Sequence, residues 1–540
     1  MAYRENKQPA QKCSICQNTV HDGLGKHIIS RHGYEALKRL IIQAKTDGVS
    51  DAELGQRFGI NLRQLEKIII ESYGLNISGL VLSKKSIKCW EPKDFREETT
   101  TVWSFKQRGN WATHNGKYRG NWSPYIPRNV ILKYSKPGDL VLDYFAGSGT
   151  TAVEAKLLGR RCIALDINPA CVSLTKQHLD FNLPSNLFSG KMSAFEPEVR
   201  IGDARNLGWI PDGSVDLICA HPPYAGIIKY GSKIEGDLSN LGIAEFLLEI
   251  EKVAQESFRV LKLGGKCAIL IGDTRRKKHI LPLGFQTIDV FLRAGFRLKE
   301  LVIKRQYNCK TTGFWYDKSV QYNFLLLAHE YLPIFEKVPM VLTSLPTVVY
   351  EVGSVTTSTE WVFKKFRPKK VNELETSTVW SFRQDELEER VNENVFRRYG
   401  EAKDRLIVYI NPETSYSLGS VLKIKGKLGL LFIKANSLQQ PKSQAEVERY
   451  IKVVETGIKQ QLPHIASGGH LVIQVKDVRV AGYIEPMAKN IISLLEKNQR
   501  LWLKEIVIVV GDNQGDISPK PDGEELKIVH QYLLIYDVKK

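Results

Sequence analysis

Between Asp139 and Thr151 the chain reads DLVLDYFAGSGTT, an apolar run that breaks into closely spaced glycines and resumes as a helix-like pattern to Leu158. The run predicts a buried strand, and the glycines predict a turn where backbone N–H groups can approach a ligand closely. The alternation then repeats. Cys162–Leu165 reads as a strand closing on Asp166, VRIGDARNL as another ending on Asp203, and DLICAHPPY, Asp216–Tyr224, as a third running into a stiff Pro-Pro-Tyr. A helix predicted over Ile243–Leu261 leads to GGKCAILIGD, and strand-like LKELVIKR and QYNFLLLAHE follow. Strands alternating with helices, with glycine at the switches, predict a doubly wound α/β sheet over residues 95–335.

Upstream the pattern changes. Val49–Gly74 predicts two short helices around the turn Phe58-Gly59-Ile60, with Ser50 and Glu53 as a capping box and Leu62, Leu65, Ile68 and Ile69 on the apolar face. This segment, placed at 45–75, looks like a helix-turn-helix, with Arg63, Gln64 and Lys67 on the outer face for a groove or phosphates. Within residues 1–35, Cys13-x2-Cys16 and His27-x4-His32 put two thiolates and two imidazoles at spacings that close a tetrahedral shell around structural Zn2+. Leu75 to Pro92 is irregular and predicts a linker.

Residues 340–540 carry an internal repeat. EETTTVWSFKQ, Glu97–Gln107, recurs as LETSTVWSFRQ, Leu374–Gln384; Gly264–Arg276 lines up with Gly468–Val480, and LKELVI, Leu298–Ile303, with LKEIVI, Leu503–Ile508. The order is kept, which predicts a duplicated fold. The second copy has no Gly-rich turn, and reads LLFIKANS, Leu430–Ser437, where the first has HPPY. It is expected to be a degenerate copy and a candidate target-recognition domain.

The 540 residues suggest roughly three or four domains, and a formal net charge of +18 favours a polyanionic partner. Eight cysteines, mostly on apolar segments, suit a reducing cytosol rather than a disulfide framework. No apolar run long enough to span a bilayer is evident, so a cytoplasmic protein without membrane contact is expected.

Taken together, DLVLDYFAGSGTT and DLICAHPPY resemble the S-adenosylmethionine-dependent methyltransferases that modify exocyclic amino groups of nucleic-acid bases. The resemblance implies a Rossmann-like methyltransferase fold, with double-stranded DNA as substrate and a cognate restriction endonuclease as a candidate partner. Gly147 and Gly149 would turn the backbone beneath the donor, with Phe145 in the same turn. Asp143, Ser148 and Thr150 would surround its amino-acid end, Asp166 would accept the ribose hydroxyls, and Asp203 the adenine amino group. An amino nitrogen of cytosine or adenine is a poor nucleophile, because its lone pair is delocalised into the ring. His221 and the carbonyl held by Pro222 and Pro223 would accept its hydrogens, while Tyr224 stacks on the extruded base. The family usually has Asp, Asn or Ser before Pro-Pro, and a histidine there can accept only while neutral. Activity is therefore expected to fall as pH drops through the pKa of His221, with a loss by about pH 5.5.

Two further clusters flank the site. Trp111–Ile131, aromatic and basic, is expected to stack bases or floor the cofactor pocket. Arg275, Arg276, Lys277 and Lys278 follow a strand whose end should face the crevice, and are expected to clamp phosphates. The chain lacks a Pro-Cys dipeptide, which disfavours a cysteine-nucleophile C5 mechanism. An RNA base methyltransferase and an inactive DNA-binding regulator are the alternatives.

Overall fold

The structure is a computed structural model and describes residues 11–20, 23–46, 49, 51–60, 64–65, 68, 87–93, 95–118, 120–184, 195–224, 234–307, 310–339, 357–361, 374–400, 405–410, 427–435, 438, 441–512 and 525–539. Helices Leu24–His32 (α1), Tyr34–Thr46 (α2) and Asp51–Phe58 (α3) form a small N-terminal body. One core holds Cys13, Ile28, Leu37, Ile41, Leu54 and Phe58 together with Leu65 and Ile68. The zinc-binding and helical segments thus share one core. Its bridge is α2, whose apolar Leu37, Ile41 and Ala44 fall at helical spacing. Gly59 turns the chain after α3 with φ 62°. Beyond it Gln64, Leu65 and Ile68 are helical, whereas Ser50, Arg63 and Lys67 lie outside the described residues.

The next body is an 8-stranded sheet. Its strands are β1 (Val102–Ser104), β2 (Leu140–Asp143), β3 (Arg161–Asp166), β4 (Glu198–Ile201), β5 (Val215–Ala220), β6 (Leu261–Ile269), β7 (Phe296–Arg305) and β8 (His329–Lys337). They lie in the order β1-β7-β8-β6-β5-β2-β3-β4, parallel except for β8, which runs against both its neighbours. Purely apolar strands such as LICA are buried on both faces, as a helix-covered parallel sheet requires. One strand expectation fails: Gln321 and Tyr322 close a helix, Lys310–Tyr322, and β8 starts only at His329. The apolar residues between them do a different job, since Leu325 is buried in the core of the following sheet.

That 7-stranded sheet comprises β9 (Thr357–Trp361), β10 (Val379–Arg383), β11 (Arg405–Ile410), β12 (Leu428–Ala435), β13 (Ile465–Val475), β14 (Leu501–Asp512) and β15 (His530–Val538). Its order from one edge is β10-β14-β15-β13-β12-β11-β9, with β15 antiparallel to both neighbours. Strand for strand this repeats β1-β7-β8-β6-β5-β2. An antiparallel β9 then stands where the first sheet has β3.

The two sheets exchange contacts reciprocally. Each sends a two-stranded hairpin to the other: Thr274–Arg276 with His279–Leu281, and Val478–Val480 with Tyr483–Glu485. Both turn through two residues of positive φ, Lys277 and Lys278 at 47° and 70°, Ala481 and Gly482 at 47° and 82°. The first hairpin's Arg275 donates to Glu505 at 2.5 Å, and the second hairpin's Arg479 donates to Glu300 at 2.7 Å. The near-identical WSF segments cross as well. Thr101 bonds His530 at 2.8 Å, and Thr378 bonds His329 at 2.9 Å. Each histidine continues into a buried chain, His329 to Tyr331 to Asp273 and His530 to Tyr532 to Asp477.

This geometry corrects the phosphate clamp at Arg275. The Arg275 guanidinium is spent on Glu505 and on the carbonyls of Lys278 and Leu325, because its hairpin points into the other sheet rather than the crevice. Arg276, Lys277 and Lys278 are exposed on that hairpin, with the Lys278 ammonium 4.1 Å from the Tyr322 ring. Among the described residues no helix is long and apolar enough to cross a membrane.

Candidate active site

From β2 the chain runs outward through β3 and β4, then returns to β5 on the other side of β2. Such a reversal opens a crevice at the carboxyl ends of the two strands. The Gly-rich turn leaves β2 there, and His221-Pro222-Pro223-Tyr224 leaves β5 beside it.

The turn is built as a cradle. Gly147 takes φ 53° and Gly149 φ 80°, and a Cβ on Gly149 would stand 2.6 Å from the Thr175 side chain. The Gly147 N–H donates to Asp166 at 2.8 Å, and the Phe145 N–H to Asp143 at 3.0 Å. The cavity above is lined by Phe145, Gly147, Ser148, Asp166, Asp203, His221 and Pro223. Asp143, Gly149 and Thr150 do not line this wall. Asp143 lies beneath the turn and pins it, Gly149 packs on Thr175, and the Thr150 hydroxyl donates to Asn121.

Tyr118, Asn121 and Trp122, from the segment expected to stack bases or floor the pocket, and Asp237, which sequence reasoning left unassigned, complete the wall. The first three belong to the aromatic segment before the turn, whose density of rings was the available signal. Arg128 in that segment is buried and paired with Glu154 at 3.0 Å, so it supports the fold.

The carboxylates differ in setting. Burial pushes Asp166 up to about 6, against the lowering effect of N–H groups from Asn168 and Gly147. Burial would raise Asp203 too, but hydrogen bonds from Arg205, the shortest at 2.6 Å, hold it below the usual carboxylate range. Asp143 is pushed up to about 7 by burial.

On the other wall, His221 stacks on Trp122 with ring centroids 5.5 Å apart. Its Nε2 lies 3.1 Å from the Tyr224 hydroxyl, which donates to Glu330 at 2.7 Å, and Lys304 donates to Glu330 at 2.8 Å. Burial pushes His221 down to about 4, with Lys304 and Arg108 acting in the same direction and Glu330 opposing. Glu330 is held down to about 2 by Lys304 and His221 despite burial. His221, Pro222, Tyr224, Lys304 and Glu330 also line a second groove, so His221 faces both spaces. Lys304 and Glu330 escape a reading of the sequence, since only the antiparallel register of β7 and β8 pairs them.

Ser148 Oγ is buried and lacks a hydrogen-bond partner among the described residues, and it stands on the wall of the first cavity. An orphaned polar atom above a glycine cradle fits a polar ligand. In the N-terminal body, the ligand atoms of Cys13, Cys16, His27 and His32 all lie within 4.8 Å of one another. Two soft thiols and two imidazoles at that closeness fit a tetrahedral Zn2+.

The sheet and its crevice define a Rossmann-like α/β fold. Residues 63–177 match the family model described as DNA methylase, a span that includes the Gly-rich turn and Asp166 and stops short of His221. The chain is 37% identical over 81 residues to a type II methyltransferase of Streptococcus pneumoniae, covering 15% of this chain and 29% of that one. It is 43% identical over 90 residues to a DNA adenine methyltransferase of Escherichia coli, covering 17% and 31%. It is also 34% identical over 108 residues to a tRNA (guanine(10)-N2)-dimethyltransferase of Methanothermobacter thermautotrophicus, covering 20% and 29%. The chain spans about a third of the length of the curated relatives it matches.

Proposed function

We propose that this protein is an S-adenosylmethionine-dependent DNA methyltransferase that modifies an exocyclic amino group, N4 of cytosine or N6 of adenine. The single observation that carries the reading is the shared wall: His221 and Pro223 face the same cavity as Gly147 and Ser148, so a donor site and an amine site open into each other. Gly147, Ser148, Phe145 and Asp166 would hold the donor, with Asp203 beside them. When bound, the donor supplies an electrophilic methyl carbon whose bond pair returns to sulfur as the amine lone pair forms the new N–C bond. His221 and the Pro-Pro carbonyl accept the amine's hydrogens, which keeps that lone pair out of the ring. Tyr224 and Trp122 offer rings to an extruded base.

The flanking bodies extend the reading. Cys13, Cys16, His27 and His32 would hold a structural Zn2+ in a DNA-contacting module that includes Gln64. Residues 340–540 read as a duplicated methyltransferase fold without its sites, and the matched strand orders and exchanged contacts favour this. A cognate restriction endonuclease belongs to the same proposal, as the relatives include type II methyltransferases.

The likeness to a transfer-RNA methyltransferase supplies the second reading, with RNA as substrate. Incubation with radiolabelled donor and either genomic DNA or total RNA, followed by digestion and mass spectrometry of nucleosides, separates the two. Labelled N4-methylcytosine or N6-methyladenine in DNA is expected. Label confined to RNA, or none in either, overturns the proposal.

A further inference from the structure

The hydrogen bonds around His221 fix more than its position. Tyr224 has one hydroxyl proton, and it is directed to Glu330 at 2.7 Å. Glu330 is an ionised acceptor with no proton to return, paired through its other oxygen with Lys304 at 2.8 Å. The Tyr224 oxygen therefore meets His221 Nε2, 3.1 Å away, as an acceptor, and Nε2 must carry a hydrogen. A neutral imidazole has a single N–H, so Nδ1 is left with a bare lone pair.

We propose that Lys304, Glu330 and Tyr224 are positioning residues that lock His221 as its Nε2–H tautomer, and so make Nδ1 the acceptor for the hydrogen of the target amine. The proposal rests on the reading of an amino-group methyltransferase given above. It explains how histidine can stand where an amide or carboxylate oxygen would accept directly. Imidazole offers a lone pair only on the ring nitrogen that carries no hydrogen, and free in water it exchanges tautomers. In the wrong tautomer it would present N–H to the amine and oppose the reaction.

The charged surroundings are consistent from every side. Glu330 on β8 and Lys304 on β7 face the imidazole through Tyr224, and Arg108 approaches from the segment before Trp111. Asp166, Asp203 and Asp237 share the donor cavity. As the amine hydrogen passes to Nδ1, the imidazole becomes an imidazolium with N–H on both nitrogens. Glu330 then balances its charge through the Tyr224 hydroxyl, and the proton leaves by the second groove. The same relay thus selects the acceptor nitrogen and steadies the charge that follows.

The test is nitrogen-15 NMR of full-length protein labelled at histidine, with the His221 signals assigned by difference from His221→Gln. The ring nitrogens of wild-type protein at pH 7, without nucleic acid, are expected to report a protonated Nε2 and an unprotonated Nδ1. Tyr224→Phe keeps the ring but removes the acceptor; mixed tautomers are expected, with at least a tenfold fall in kcat and little change in donor affinity by calorimetry. A protonated Nδ1 in wild-type protein overturns the proposal, as does an unchanged tautomer in folded Tyr224→Phe. The wild-type spectrum decides even if that variant does not fold. Methyl transfer is read separately: a correct tautomer without transfer to any nucleic acid sinks the functional reading, whereas transfer with the wrong tautomer sinks only the relay.

Discussion

His221 shows how far one side chain departs from its free chemistry once the fold surrounds it. An imidazole in water would be half-protonated at about pH 6.5, which is the basis for expecting lost activity by about pH 5.5. Burial with Lys304 and Arg108 nearby lowers it to about 4, and Glu330 only partly offsets this. The sign follows directly: a depressed pKa keeps the acceptor neutral, so acid must go further before the lone pair is lost. Methyl transfer at saturating donor and DNA should therefore stay flat from about pH 8 to about pH 5.5 and fall only on approach to pH 4. Single-turnover rates across that range check it, and a midpoint near pH 6.5 would show that His221 keeps its ordinary basicity. Gly149 makes a second case. Alanine there must hold φ 80° with its Cβ 2.6 Å from Thr175, a strain of about 1–3 kcal/mol. Gly149→Ala is expected to lower the melting temperature and weaken donor binding at least tenfold by calorimetry. The glycines and the Pro-Pro-Tyr were legible because each constrains the backbone locally. The turn-pinning bond of Asp143 was not legible, because a carboxylate closing a strand looks the same whether it faces a ligand or accepts from the turn beneath it.

Among the elements, the strands and helices that make the crevice could be read from their apolar runs. The hairpin Thr274–Leu281 could not. Its basic residues suggested phosphate contact, but a charge run does not reveal that one arginine has a buried carboxylate waiting on another sheet. Glu505 is fully buried, so its pairing with Arg275 can be tested. Removing one partner of a buried pair leaves an uncompensated charge, at about 3–5 kcal/mol. Arg275→Met should lower stability in urea unfolding by that order, and Arg275→Met with Glu505→Leu should recover much of it. A loss in the double variant equal to the sum of the losses in Arg275→Met and Glu505→Leu alone would show that the pair is not coupled. The N-terminal body offers a parallel case, because Cys13 is both a metal-ligand candidate and a buried member of the core. Chelation of Zn2+ is expected to release one equivalent of metal and to melt α1 to α3 together, seen as lost helical circular dichroism. Retained helicity after metal loss would show that the apolar core suffices alone.

For the molecule as a whole, the sequence disclosed the repeat but not how the copies meet. Read as a line of text, residues 340–540 look like a detachable appendage whose deletion would spare donor binding while abolishing sequence selectivity. The structure argues otherwise. Arg479 reaches back to Glu300, which is buried at 0% exposure; Thr378 holds His329, and Leu325 is buried among residues of the second sheet. The first sheet thus contributes buried charge and apolar surface to the second and is completed by it. Truncation after Pro339 would leave Glu300 without its arginine and Leu325 without its core, losses that draw on a usual stability margin of only about 5–15 kcal/mol. The expected outcome is a fragment that aggregates or unfolds without cooperativity and takes up no S-adenosylmethionine, whereas adding residues 340–540 in trans restores some soluble complex. A truncated chain that melts cooperatively and binds the donor as tightly as the full one would return the second sheet to the status of an appendage. In that event the reciprocal contacts would serve orientation on DNA rather than folding.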